Sequence, residues 1–365
     1  MEGSLAVGGP PAVGGRPTVG GGSPTVGGPQ TADGPLTARE PMTDPGQARA
    51  AARAIAAAAL GRDPGPLATA ASGSHHVYVG ADAVVKLIGA SSHARLNREI
   101  ALVPHLPAGL AAPLLGSGIH RLETGDEVRY ACYARVPGTA PGMGMPGVDA
   151  ATARALAEEA VERLGRLHAW VPGGGAERTL RETLDHGGFT GRAEFLAGIE
   201  ALIERDRHGT VPSHLLDGLL AIAHDAPPHA RAVVPVHADC HWDNWLAHGR
   251  SVTALLDFEW ARFGDPVDDW FFLIRFSGPH RENVLDVVAR ATGTPPDTLR
   301  AGCEVREATH LAADLRVALE RPDVHARMAA DRLRSLEELI GGRFWWRPDP
   351  PVTPGAASGA PGCLA

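Results

Sequence analysis

The chain has almost no lysine. Of its 34 basic side chains 33 are arginine, and Lys86 is the exception among 365 residues. A composition this rich in Arg, Ala, Gly and Pro keeps a lysine where a compact ammonium on a thin stem does what the broad guanidinium fork does not. Cysteine is scarce too: Cys132, Cys240, Cys303 and Cys363 form no C-x-x-C pair, which excludes a disulfide framework and a zinc finger and fits a reduced compartment. No run approaches the roughly 18 apolar residues of a membrane span. Met1–Leu5 has neither a basic segment nor an apolar stretch behind it, so a soluble, cytoplasmic protein is expected, with no membrane partner. A net charge of -8 lacks the basic footprint of a nucleic-acid binder and leaves room for a small cationic partner. With 44% hydrophobic and 21% charged residues, the chain is ordinary globular material, long enough for about two lobes.

Four Val-Gly-Gly units, at Val7, Val13, Val19 and Val26, alternate with prolines in the first 44 residues. Such a stretch cannot bury a core and reads as a disordered tail, 1–44. Met42 is the next methionine, and Asp44-Pro45-Gly46-Gln47 after it is a helix start. An Ala-rich helix is expected over Ala48–Leu60. Two β-type runs, His76–Val79 and Ala83–Ile88, flank a Gly80-Ala81-Asp82 turn and read as a hairpin. A helix from about Ser92 to His105 follows, with Leu96, Ile100 and Val103 at helical spacing, and then a strand from Arg129 to Val136. Gly138–Gly147 is a Pro/Gly-rich linker, beyond which Asp149 caps a helix running to His168. The remainder to about Ile340 is mostly helical by pattern, apart from a β-rich patch over Val233–Leu256. Residues 48–138 hold 9 basic and 6 acidic side chains, whereas residues 139–338 hold 21 and 31. The first bias suits a polyanion, the second a metal ion or a cationic substrate.

The densest polar cluster is His237-Ala238-Asp239-Cys240-His241-Trp242-Asp243-Asn244, with Asp257-Phe258-Glu259 shortly after. Between them, Trp245–Ala247 and Val252–Leu256 flank a turn and read as a second hairpin, whose open end brings Asn244 and Asp257 together. An amide oxygen beside a carboxylate is a hard-oxygen site suited to Mg²⁺. Asp239, on the loop feeding the hairpin, is then left to accept or orient the proton of a substrate hydroxyl. Two other readings compete with this one. His237, Asp239, His241 and Cys240 alternate as metallohydrolase ligands do, but no second His/Cys cluster follows. Gly142–Gly147 fits the pattern of a dinucleotide loop, but it stands in a Pro-rich linker ahead of a helix.

Asp239, Asn244 five residues on and Asp257 eighteen residues on follow the order of protein-kinase-type phosphoryl-transfer sites. The sequence resembles the aminoglycoside phosphotransferase family, in the choline-kinase-like branch of the protein-kinase fold. It carries that family's His-x-Asp-x-His-x-x-Asn as His237–Asn244, its Asp-Phe-Glu as Asp257–Glu259, and its Gly-Asp-Pro-x-x-Asp as Gly264–Asp269. It departs at Ala238, where the family has Gly, and at Trp242-Asp243, where Pro-Gly is common. The resemblance implies an α+β, two-lobed protein-kinase-like fold: a small β-rich N-lobe over 45–138 and a larger, mostly helical C-lobe over 139–345, with a flexible tail at 346–365. It implies that Lys86, held by Glu99, contacts the α/β-phosphates of ATP or GTP and that Gly73 and Ser74 lie in the loop covering them. The backbone near Ala134 and Val136 meets the adenine edge, Asn244 and Asp257 bind Mg²⁺, and Asp239 is the catalytic carboxylate. His237, Asp265 and Asp269 are expected to brace loops, and Trp345 and Trp346 to pack. The implied activity is an O-phosphotransferase acting on a hydroxyl of a small cationic molecule, an aminoglycoside or another basic antibiotic, with Glu304, Glu307 and Asp314 as candidates for ammonium recognition. A macrolide phosphotransferase, a metabolic kinase for choline, homoserine or an amino-sugar, and a catalytically inactive binding module of the same fold stay open.

Overall fold

The computed structural model describes residues 45–347 apart from 71, 73–74, 91–94, 185–187 and 232. Residues 1–44 and 348–365 and Gly73 and Ser74 therefore lie outside the described residues; of the tail expected over 346–365, Trp346 ends a 3₁₀ turn over Phe344–Trp346. Helix α1 (Pro45–Leu60) turns Ala48, Ala51, Ala52, Ile55 and Ala56 to one buried face, the i, i+3, i+4 pattern of a helix laid on a sheet. Beneath it lie β1 (Ala68–Ala70), β2 (His76–Val79), β3 (Ala83–Gly89), β4 (Leu114–Arg121) and β5 (Glu127–Ala134). They form one antiparallel sheet in the order β1-β2-β3-β5-β4. The hairpin expected over 76–88 is β2–β3. Strands β1 and β4 had no sequence signal: β4 carries Gly116 and Gly118 and ends on His120-Arg121, poor strand formers on composition.

Side-chain alternation gives the sheet two different partners. Ala83, Val85, Leu87 and Cys132 pack with α1. Ile88, Ala131 and Tyr133, on the opposite face, join the large core of the helical region. Lys86 pairs with Val77 on one side and Ala131 on the other, so it shares this second face. Helix α2 (Arg95–Leu102) continues as a 3₁₀ turn over Val103–His105, where Pro104 lacks the N–H an α-helix needs. Within the range expected for this helix, 92–94 lie outside the described residues.

The C-terminal part contains α3 (Ala150–His168), α4 (Gly174–Arg181), α5 (Arg192–Arg205), α6 (Ser213–Asp225), α7 (Val267–Arg275), α8 (Arg281–Thr292), α9 (Pro296–Glu320) and α10 (Pro322–Ile340). Asp149 caps α3 as expected, its carboxylate accepting from Thr152 N at 2.9 Å. The β-rich patch resolves into β6 (Val234–Val236), which pairs with β9 (Arg262–Gly264), and the hairpin of β7 (Trp245–His248) and β8 (Ser251–Leu255). The Pro/Gly-rich connector after β5 is tied down along its length. Thr139 exchanges both backbone bonds with Ala247 at 2.9 Å, and Gly144 N donates to Phe276 O at 2.8 Å. Gly278 in turn sits so close to Gly144 that a Cβ would come within 2.6 Å of the Gly144 carbonyl. No helix among the described residues is long and apolar enough to cross a membrane.

Candidate active site

The loop between β6 and β7 hangs on one buried carboxylate. Asp269, in the first turn of α7, is fully buried. It accepts from His237 N at 3.1 Å, Ala238 N at 2.6 Å and His168 Nε2 at 2.9 Å. Burial opposes its ionisation, but the His168 hydrogen bond, its neighbouring imidazoles and Ala238 N outweigh that and hold the carboxyl below its usual range. Cys240 adds a fourth tie by donating to the Asp269 carbonyl at 3.2 Å. Its thiol is pushed well up by burial and the neighbouring carboxylates. His237 Nε2 lies 2.8 Å from the Leu256 carbonyl, which fixes the tautomer with the proton on Nε2, and burial lowers its pKa. The imidazole is a neutral brace between the loop and the end of β8, as expected of it.

Pinned this way, Ala238 adopts φ +61°, in the left-handed region. That conformation explains the glycine common at this position, and its cost falls on the residue before Asp239. Asp239 is itself buried, at 3% exposure. Asn244, at the end of a 3₁₀ turn over Trp242–Asn244, donates its amide to the Asp239 carbonyl at 2.8 Å and to its carboxylate at 3.3 Å. His241 Nε2 lies 3.5 Å from the same carboxylate. Burial brings the His241 pKa down to about 4, so this imidazole is neutral. The Trp242-Asp243 departure is built in: Trp242 donates to Ser277 Oγ at 2.8 Å, and Asp243 accepts from Met143 N in the connector at 3.1 Å.

The β7–β8 register sets Trp245 against Leu255, and Leu256 N donates to Asn244 O at 2.8 Å, so Asn244 and Asp257 meet at the open end. Asp257 has φ +66° and turns the chain into a 3₁₀ turn over Phe258–Trp260. Opposite it stands Lys86, whose Nζ is 2.6 Å from Glu99 and 3.2 Å from Asp257. Tyr133 reaches the second Glu99 oxygen through its hydroxyl. Burial disfavours the ammonium, but Asp257, Glu99 and Glu259 together raise the Lys86 pKa, and it stays charged. Asp257 is drawn down to about 2, because Lys86 and His75 outweigh its burial. Burial lifts Glu99 to about 7, with Asp257 and Glu259 adding to it against the pull of Lys86.

Glu259 and His75 complete the cluster. They are buried, 2.9 Å apart, and join the segment ahead of β2 to the segment carrying Asp257. Glu259 stands in the Asp-Phe-Glu motif, and His75 directly follows Gly73 and Ser74, the residues expected to cover the phosphates. The pairing itself has no signal at a separation of 184 residues. Glu99, Asp257 and Glu259 offer carboxylate oxygens within 4.8 Å of one another. Three carboxylates against one lysine and one histidine leave an oxygen-lined spot short of positive charge. The Asn244 amide nitrogen is taken by Asp239, which leaves its oxygen as the available ligand atom. That donor set fits a hard divalent cation such as Mg²⁺.

At the end of β5, Arg135 N donates to Asp82 O at 2.8 Å. Strand alternation then turns the flanking backbone groups of Ala134 and Val136 away from β3. Glu307 and Asp314 are corrections. Glu307 is buried, 2.6 Å from Arg275 and 2.8 Å from Trp345 Nε1, and Asp314 is buried 2.6 Å from Arg332. Both belong to internal ion pairs of α9 and are closed to an ammonium ligand. Glu304 accepts from Trp346 Nε1 at 3.0 Å, while Trp345 packs in the core as expected.

A model of the phosphotransferase enzyme family matches residues 67–307. No curated protein matches the chain. Among solved structures it is similar to the GDP complex of wild-type aminoglycoside 2'-phosphotransferase-IIIa, at 20% identity and a TM-score of 0.62 over 76% of this chain and 93% of that one. It is also similar to apo macrolide 2'-phosphotransferase MphH from Brachybacterium faecium, at 24% identity and a TM-score of 0.53 over 77% and 97% of the two chains. A ternary complex of an aminoglycoside phosphotransferase APH(4)-Ia mutant with AMP-PNP and hygromycin B matches at 19% identity and 0.53 over 79% and 97%. At these identities the likeness carries the two-part fold, a five-stranded N-terminal sheet followed by a mostly helical region.

Proposed function

We propose that this chain, which belongs to the phosphotransferase enzyme family, transfers the γ-phosphoryl group of ATP or GTP to a hydroxyl of a small cationic acceptor of the aminoglycoside type. Phosphoryl transfer to an alcohol is the activity of the family; the acceptor, the nucleotide and the residue roles are our reading. The observation that carries it is the convergence of Lys86, Glu99, Asp257, Asn244 and Asp239, drawn from β3, α2, the β6–β7 loop and the open end of the β7–β8 hairpin.

In this reading Asp239 receives or orients the proton of the acceptor hydroxyl, and the Asn244 amide keeps its carboxylate aimed. Lys86, fixed by Glu99, binds the α- and β-phosphates. Gly73 and Ser74 belong to the loop over the phosphates, and the Ala134 and Val136 backbone meets the base edge. Asn244 and Asp257 hold Mg²⁺, which when bound supplies positive charge to the β- and γ-phosphate oxygens. Residues 45–138 then serve the nucleotide and residues 139–345 the chemistry and the acceptor. The acidic excess of the second part supports a cationic acceptor. So do the kanamycin, gentamicin and hygromycin B named with similar structures. A macrolide acceptor is the second reading, supported by the likeness to MphH.

The test is a panel of aminoglycosides, macrolides, choline, homoserine and amino-sugars, incubated with Mg-ATP or Mg-GTP and read by mass for the addition of one phosphate. Addition to an aminated antibiotic supports the reading, and its loss in Asp239→Asn with Mg-nucleotide binding retained supports the residue assignment. Phosphorylation of metabolic alcohols alone, or full turnover by Asp239→Asn, would refute these points respectively.

A further inference from the structure

Next to Glu99 in sequence is a guanidinium that none of the chemistry above uses. Arg98 is buried, at 5% exposure, and the nearest carboxylate oxygen paired with it, on the exposed side chain of Glu182, is 3.5 Å away. Its close partners are backbone carbonyls: Thr179 O, Ala261 O at 3.1 Å and Glu182 O at 3.1 Å. Thr179 and Glu182 lie in the last turn and cap of α4, at the negative end of the helix dipole, where Thr179 O accepts from the cap's Glu182 N only at 3.3 Å. Ala261 closes the 3₁₀ turn that starts at Asp257. Arg95, one turn earlier on α2, lays its guanidinium over the Trp260 ring at 4.6 Å. Burying a charge on neutral acceptors is costly, and arginine's broad planar fork spans carbonyls on two separate segments, whereas lysine offers its three donors from a single point.

On an α-helix neighbouring residues point about 100° apart. Arg98 therefore faces the helical region while Glu99 faces the sheet and Lys86. The Ala261 carbonyl locates α2 against the segment that carries Asp257, and the Thr179 and Glu182 carbonyls locate it against the end of α4.

Resting on the nucleotide role proposed for Lys86, we infer that Arg98 is a positioning residue. It fastens α2 to the helical region in the nucleotide-free protein, so that Glu99 holds Lys86 in line before a phosphate arrives. The Lys86–Glu99 pair is in this sense preassembled, and α2 is not a helix that swings in on binding.

Amide hydrogen exchange on the full-length, nucleotide-free protein tests this without a mutation. The α2 amides should exchange as slowly as those of α7 and change little on adding Mg-ATP. Fast exchange in α2 that slows only with Mg-ATP would overturn the inference. Calorimetric Mg-ATP titration of Arg98→Met, Glu99→Gln and the double variant tests the linkage to Glu99. Each single change should weaken binding about tenfold, and the double variant should lose little more, because the residues act as one unit. Separate losses that multiply, or a lowered melting temperature with unchanged affinity, would make Arg98 merely structural. Should Arg98→Met not fold, Arg98→Lys takes its place in the cycle, with an expected partial loss of affinity. A wild-type protein that binds neither Mg-ATP nor Mg-GTP would refute the nucleotide reading itself, while the exchange measured without nucleotide still judges how α2 is held.

Discussion

Replacing Asp269 with asparagine keeps the shape of the side chain while removing a charge and turning one acceptor oxygen into a donor. In the native protein the two oxygens accept three N–H groups: Ala238 N on one, His237 N and His168 Nε2 on the other. Whichever way the new amide is turned, its NH₂ meets at least one buried backbone N–H. A buried donor left unpaired costs about 1–3 kcal/mol, and the surviving bonds lose their charge assistance. The sum is about 3–5 kcal/mol, as for breaking a buried ion pair, a large share of the roughly 5–15 kcal/mol of a typical domain. Urea unfolding at pH 7 should show this as a lower midpoint with an unchanged slope. Because the carboxyl is held below its ordinary value, its contribution is present above the unfolded pKa of about 3.9 and is lost as pH falls through the native value. The difference between wild type and Asp269→Asn should then be level between about pH 5 and 8 and shrink below about pH 4. Turnover should fall further than Mg-nucleotide affinity, since Asp239 and Asn244 ride on this loop while Lys86 and Glu99 are not among its partners. A loss under about 1 kcal/mol with turnover intact would mean that this carboxylate does not hold the loop.

Other consequences are simpler to measure. Lys86→Arg, nominally conservative, forces a larger planar group between Glu99 and Asp257 and should lower turnover at least about tenfold with the fold intact by circular dichroism; an unaffected enzyme would make the lone lysine an accident. Ala238→Gly removes a left-handed strain of about 1–2 kcal/mol against a glycine entropy cost of about 0.5–1. Its melting temperature should rise slightly, and a fall would show that the position is not strained. Cys132, Cys240 and Cys303 are fully buried with thiols pushed up by burial, Cys132 to about 12, so iodoacetamide at pH 8 should leave them unmodified until the protein is unfolded. Mass spectrometry of the native protein showing label on any of the three would contradict their burial.

What could be read from the sequence was short-range. The β7–β8 hairpin closes within a dozen residues, and turn residues place it, whereas the Lys86–Glu99 pair came with the family resemblance. The loop-bracing role of Asp269 came with the family motif. Arg98 carries no signal in the sequence, because its acceptors lie 81, 84 and 163 residues away and are backbone carbonyls, which no residue type announces. Glu307 and Asp314 misled for a related reason. Charged residues recur all round α9, which looks like an exposed helix, yet α9 runs through the core and pairs them with Arg275 and Arg332. Sequence pattern reports how polar a helix is and not which of its charges find partners inside.

The two-faced packing of the N-terminal sheet bears on how the molecule avoids a wrong fold. Moving β3 by one residue against its neighbours would satisfy a ladder almost as well, but it would turn Lys86 toward α1 and a valine or leucine toward the carboxylates. The alanine face of α1 offers an ammonium no acceptor, so the slipped pairing carries an unmatched buried charge. The alanine face of α1 thus penalises the slipped pairing. A chain shortened past α1 should lose fidelity before it loses affinity, and give a mixture of molecules of which only the correctly paired fraction binds nucleotide.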